Sequence, residues 1–356
     1  MNRLPNLDVL RFVLASFVVF FHLPQLCRNQ GLPYFLDAPI FNRGTEAVYM
    51  FFILSGFLII KLIYNEKQKG TFSIKKFYIR RILRIFPLYY LIVIFGFLYY
   101  WVILPNLGIP FQNNYALGEG ILLSVFFLPN IFKDLFMPGG VLEILWSIGI
   151  EEQFYLVIAP LLFVINKNKV LLVLIVLLGV YFVFYHLEAF SFLSEFTMVF
   201  FYMCFGGIVA ILEEKKQLKF LKISKLIPLS ICVLTLLYFT TDLLFFKQEW
   251  LFNLFTMVLF GLFIHSICHN NFGVEIRSKT LNYLGQISYG LYMFHVIALN
   301  AVVFLFLKLQ KHALFNDGLA IVLIYILTFA LTISIAHFSF KYYESYFLKL
   351  KNKFRE

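Results

Sequence analysis

The residues best equipped for chemistry in this chain are polar side chains set inside long apolar runs. Arg11 and His22 lie eleven positions apart in the apolar stretch Leu7–Leu26. At 3.6 residues per turn and 1.5 Å per residue, that spacing puts both on one helix face, about 16 Å apart. Imidazole is the side chain best matched to proton transfer near neutral pH, and a guanidinium offers an anion a permanent cation. The pair suits a channel that accepts an anion at one end of a helix and delivers it to a base near the other. An interfacial histidine and a snorkelling arginine fit the same spacing.

Further along, Glu143 precedes the run Trp146-Ser147-Ile148-Gly149-Ile150-Glu151-Glu152-Gln153-Phe154-Tyr155. Adjacent Glu151 and Glu152 point about 100° apart on a helix, so at most one faces a given neighbour. One of them can orient His22 or pair with an arginine; an ion pair between helices is the structural alternative. In Phe77-Tyr78-Ile79-Arg80-Arg81-Ile82-Leu83-Arg84-Ile85-Phe86-Pro87, both Arg81 and Arg80 share a face with Arg84. Arginine clusters bind phosphates through forked, charge-assisted hydrogen bonds, and they also anchor helices at a membrane boundary. Ser288, Tyr289, Tyr292 and His295 are placed to line one half of a cavity, His295 alone reading more simply as a core histidine. Ser55-Gly56 reads as a helix-packing step. Glu344 is placed either to fold back on the arginines or to stand in solvent.

The elements that must position these groups are membrane helices. Hydrophobic residues make up 61% of the 356-residue chain and charged residues 14%, against about half and a quarter in soluble domains. Apolar runs recur at approximately 8–26, 46–64, 77–103, 142–165, 170–188, 195–213, 226–246, 250–269, 283–307 and 318–342. Each suits a helix across ~30 Å of hydrocarbon, and their continuity argues against the alternating strands of a barrel. The net charge of +11 does not point to nucleic acid, because the cations sit between the runs. The four cysteines show neither paired nor metal-like spacing, and no metal is expected. Leu7–Leu26 lacks a small-residue cleavage site and reads as a retained first helix.

Charge decides the topology. If the short stretch 120–128 does not cross, 23 of the 30 Lys and Arg fall on the side of the termini and 6 on the other, with Arg11 inside the first helix. Otherwise the bias vanishes. The expectation is an all-α polytopic membrane protein of about ten helices, both termini cytoplasmic, in the plasma membrane, with a re-entrant or interfacial segment at 120–140. Residues 1–356 read as one transmembrane domain with no appended soluble domain.

Five blocks in this order resemble the membrane-bound acyltransferase-3 family, which includes O-antigen and exopolysaccharide O-acetyltransferases. They are Leu7-Asp8-Val9-Leu10-Arg11 through His22, Phe51–Ile59, Arg81–Pro87, Trp146–Tyr155 and Ile287–His295. Ala47-Val48-Tyr49 departs from the family's frequent Gly-Val-Asp, and Glu344-Ser345-Tyr346 from its Glu-x-Pro. The resemblance implies an acyl-CoA donor, acetyl-CoA first among them, with His22 as catalytic base and Arg11, Arg81 and Arg84 as essential polar residues. On that reading Glu151 or Glu152 orients an imidazole or guanidinium at the catalytic centre, Ser288 and Tyr292 join the arginines around the donor, and a glycan or lipid-linked sugar takes the acyl group. A transporter or flippase for a polysaccharide precursor is the rival, since buried charges also mark transport paths; no internal repeat supports it.

Overall fold

The computed structural model describes residues 4–244, 246–268, 275–309 and 316–354. Arg3, Lys311 and Arg355, which enter the charge split, lie outside them. Among the described residues the chain is helical without strands, and each of the ten apolar runs becomes a helix. In chain order the first are α1 (Leu7–Asn29), α2 (Gly44–Gln68) and α3 (Ile74–Leu98), the last prolonged to Asn106 through a π-helical turn. Two short helices follow, α4 (Leu117–Val125) and α5 (Pro129–Phe136), then a turn at Gly140–Glu143 and α6 (Trp146–Val164). Next come α7 (Val170–Tyr185), α8 (Phe200–Glu214), α9 (Leu226–Thr240) and α10 (Glu249–Cys268). The chain closes with α11 (Lys279–Gln286), α12 (Ser288–Leu309), α13 (Asp317–Phe338), a π-helical turn at Ser339–Glu344 and α14 (Ser345–Asn352). Among the described residues, eight helical stretches are long and apolar enough to cross a membrane. The helices α8 and α9 stop at 15 residues, about 22 Å of rise.

The core is organised by the crossing of α2 and α8. A Cβ on Gly56 would lie 2.0 Å from the Met203 carbonyl oxygen, and one on Gly206 2.0 Å from that of Ile53. The two glycines let the backbones touch, which is how membrane helices gain contact where lipid supplies no hydrophobic driving force. Buried Lys61 of α2 adds ion pairs to Glu213 (2.8 Å) and Glu214 (3.3 Å) of α8. At the other end of α6, Lys67 donates to the carbonyls of Leu162, Phe163 and Ile165, groups that the helix leaves without partners.

The segment before α6 enters the bundle and turns back. Its tip is held against the middles of α3 and α6: the Tyr89 hydroxyl donates to the Ser124 carbonyl (2.7 Å), Tyr90 to that of Val125 (3.1 Å), and the Gln153 amide to that of Phe127 (2.8 Å) and to Asn130 Oδ1 (2.8 Å). Non-helical backbone survives at membrane depth only where protein satisfies it, and these side chains of α3 and α6 do so.

Candidate active site

Four helical stretches carry the polar residues of interest, and each runs past two cavities. The first cavity, of about 420 Å³, is lined by Arg11 from α1, Arg81 and Arg84 from α3, Ser147, Glu151 and Tyr155 from α6, and Ser288, Tyr289 and Tyr292 from α12. Residues of α2 including Ser55 close one wall, and Lys351 reaches in from α14. The second, of about 580 Å³, is lined by His22 and Gln25 from α1, Tyr99 and Tyr100 beyond α3, Glu143 before α6, and Val296 and Asn300 from α12. The two share no lining residue among those described. Along α1 they are displaced by the eleven residues between Arg11 and His22, about 16 Å. The expected shared face of that helix is thus divided between two chambers.

The chambers differ in chemistry. Arg11, Arg81, Arg84 and Lys351 face the first against one carboxylate, Glu151, so it is a cationic chamber fitted to an anion. Amides of Gln25, Asn29, Gln30 and Asn300 and phenols of Tyr99 and Tyr100 line the second alongside apolar side chains such as Phe111 and Leu299, and its charges are Glu143 and Lys308. Glu143, absent from the sequence-derived site, accepts the Gly139 amide (3.2 Å) and keeps its carboxylate at this wall.

Glu151 and Glu152 diverge as the helix dictates. Glu151 accepts a hydrogen bond from the Tyr155 hydroxyl (3.0 Å), and Tyr155 in turn pairs with the Ser55 hydroxyl. Ser55, expected to serve packing alone, is a chamber residue; neighbouring Gly56 does the packing. Glu151 also lies within electrostatic reach of Arg81 and Arg11, on the guanidinium side and away from His22. Glu152 is buried behind the lining, with Oε1 lacking a hydrogen-bond partner, and it stands within electrostatic reach of Arg81 and Glu151. The arginine block divides similarly: Arg80 is buried in an ion pair with Glu66 (2.9 Å), whereas Arg81 and Arg84 face the chamber. Glu344 folds back into the protein, accepts from Ser339 (3.0 Å) and stands within electrostatic reach of Arg84.

Between the chambers α12 makes one turn that faces both ways. The Tyr292 hydroxyl lines the cationic chamber and donates to the Ile144 carbonyl (2.8 Å), so the Ser147 hydroxyl donates to Tyr292 (2.7 Å). The Tyr292 carbonyl accepts from His295 Nδ1. His295 is fully buried, its ring centroid 5.2 Å from that of His22 with the planes tilted by 36°. The sequence reading of His295 as a core histidine captured its burial but not this neighbour.

A family model described as "Acyltransferase domain" matches residues 4–337. The chain belongs to this acyltransferase family. All five sequence blocks named above lie within the matched stretch, and they supply the four-helix frame and the α2 wall. Among curated relatives, a Staphylococcus aureus protein provisionally named an O-acetyltransferase is 26% identical over 98% of this chain and 58% of its own length. The peptidoglycan O-acetyltransferase of Listeria monocytogenes is 28% identical over 82% of this chain and 48% of its own length. The chain thus spans about half the length of these acyltransferase relatives. No solved structure matches it.

Proposed function

We propose that the protein is an O-acyltransferase that moves an acyl group, most simply acetyl, from cytoplasmic acyl-CoA to a hydroxyl of a glycan or lipid-linked sugar on the opposite side of the plasma membrane. One observation carries the reading: a cationic chamber and an amide-and-phenol chamber adjoin on the same four-helix frame, with His22 on the wall of the second. Diphosphate and ribose phosphate of the donor suit Arg11, Arg81 and Arg84, and Ser288 and Tyr292 offer hydroxyls deeper in. Amides and aromatic faces of the other chamber suit a neutral polyol. The surplus of cations on the side of the termini supports a cytoplasmic cationic chamber.

In this mechanism His22 removes the proton of the acceptor hydroxyl as its oxygen attacks the thioester carbonyl. The carbon–sulfur bond breaks, the imidazolium returns its proton to the thiolate, and the products are an ester and free thiol. Glu151, through Tyr155 and alongside Arg81, holds the arginines in place rather than acting on His22, and Glu152 balances Arg81 from behind.

The test uses purified protein with radiolabelled acetyl-CoA and a soluble glycan acceptor. Label is expected on the glycan with release of thiol, and His22→Ala lowers the rate by about 10²–10⁴-fold at unchanged thermal stability. A stable His22→Ala protein with normal turnover would end the proposal; a transporter or flippase would release no thiol at all.

A further inference from the structure

His295 is not a group that the proposed transfer uses directly, yet its environment is unusual. The partner of its Nδ1 is a carbonyl oxygen, which can only accept. Nδ1 therefore carries the ring's proton, and in the neutral ring Nε2 is a bare acceptor. That nitrogen has no hydrogen-bond partner although the residue is fully buried. Buried acceptors are rarely left so. The nearest ring is His22, at 5.2 Å between centroids.

We infer that His295 is a positioning residue for His22: Nε2 of His295 receives an N–H of the His22 ring. Which nitrogen of an imidazole is free is set by the hydrogen bond made by the other. The chain of constraint is explicit. The Tyr292 carbonyl fixes the His295 tautomer, the bare Nε2 fixes that of His22, and the second His22 nitrogen is left unprotonated toward the chamber. When that nitrogen takes up the acceptor's proton, the resulting imidazolium keeps its hydrogen bond to a neutral partner. Gln25, the side-chain hydrogen-bond neighbour of His22, has an amide that donates or accepts and adapts to either state. The arrangement replaces the carboxylate that commonly orients a catalytic histidine with a second histidine, itself oriented by backbone.

This role rests on the transferase reading, and the experiment separates the two. Kinetics of transfer are compared for His22→Ala, His295→Phe, which keeps a ring but no acceptor, and His295→Gln, whose side-chain carbonyl can stand near the lost Nε2. The expected result is a fall in kcat of about 10–100-fold for His295→Phe, the scale on which partners that orient a histidine act, with KM for donor and acceptor unchanged and substantial recovery in His295→Gln. A purely structural histidine would treat both substitutions alike. A measurement on the unaltered protein stands independently of how the variants fold: in ¹⁵N-histidine-labelled protein, the two rings are expected to show a scalar coupling across an N–H···N bond. Absence of that coupling, or normal turnover in a stable His295→Phe protein while His22→Ala is inactive, overturns the positioning role alone. Failure of the unaltered protein to transfer any acyl group overturns the transferase reading and this role with it.

Discussion

Arg80, Arg81 and Arg84 fall within a turn and a half of α3, yet their surroundings separate them. Arg80 ends in a buried pair with Glu66, and its Nη1 donates to the Phe354 carbonyl (3.4 Å). Arg81 and Arg84 instead face a chamber into which Arg11 and Lys351 also point. A lysine keeps the charge but loses the fork that grips phosphate from two directions. Arg81→Lys and Arg84→Lys are therefore expected to raise KM for acyl-CoA by roughly tenfold or more, the scale of a charge-assisted hydrogen bond at about 1.5–3 kcal/mol, with little change in melting temperature. Arg80→Met should show the reverse: it leaves Glu66 uncompensated, so stability in detergent drops while the donor KM of the folded fraction stays put. Steady-state kinetics and thermal unfolding on the same preparations decide. If all three substitutions behave alike, the division of labour along α3 is wrong.

At the scale of helices, the ten apolar runs were readable because a span must be continuously apolar, and each of them is a helix. What sequence could not supply was the set of long-range partners. Nothing near Ser124, Val125 or Phe127 in the chain announces that Tyr89, Tyr90 and Gln153 will satisfy their carbonyls, and charge balance alone argued for a segment that turns back. Removing one such donor should be felt: Tyr89→Phe takes the hydroxyl from the Ser124 carbonyl and leaves it only the Phe127 amide (3.3 Å), a loss of about 0.5–1.5 kcal/mol, measurable as a lower melting temperature. Ser55 and His295 were underread for the same reason, since their partners lie on other helices. Gly56 was read correctly as a packing residue because small residues between bulky ones report close approach locally. Gly56→Ala and Gly206→Ala each drive a methyl group against a backbone carbonyl that has no rotamer to yield, and a loss of about 1–3 kcal/mol or more is expected. Gly179→Ala on α7 meets nothing within 4 Å and should leave unfolding unchanged. Equal melting temperatures for all three would contradict the tight α2–α8 crossing.

For the molecule as a whole, the order in which helices meet the chambers encodes direction. α1, α3 and α12 meet the cationic chamber in their first halves and the histidine chamber later, whereas the chain leading into α6 passes the histidine chamber's wall first, at Gly140 and Glu143, and α6 lines the cationic chamber afterwards. The connection from α3 to α6 thus begins and ends at the histidine end, as a segment that does not cross requires. With the cationic end cytoplasmic, a single cysteine placed at exposed Asn114 should react with an impermeant maleimide added outside intact cells, and one at exposed Lys169 only after lysis; the opposite pattern would invert the protein and the direction of transfer. The separation of the chambers has a further meaning for the cell that makes the protein. On the proposed transferase reading, neither substrate needs a passage wide enough to admit it across the bilayer, because only a group of a few atoms passes from one chamber to the other. Under that reading a cell decorates material beyond its own permeability barrier while its nucleotide pool, its ion gradients and its osmotic balance stay where they are.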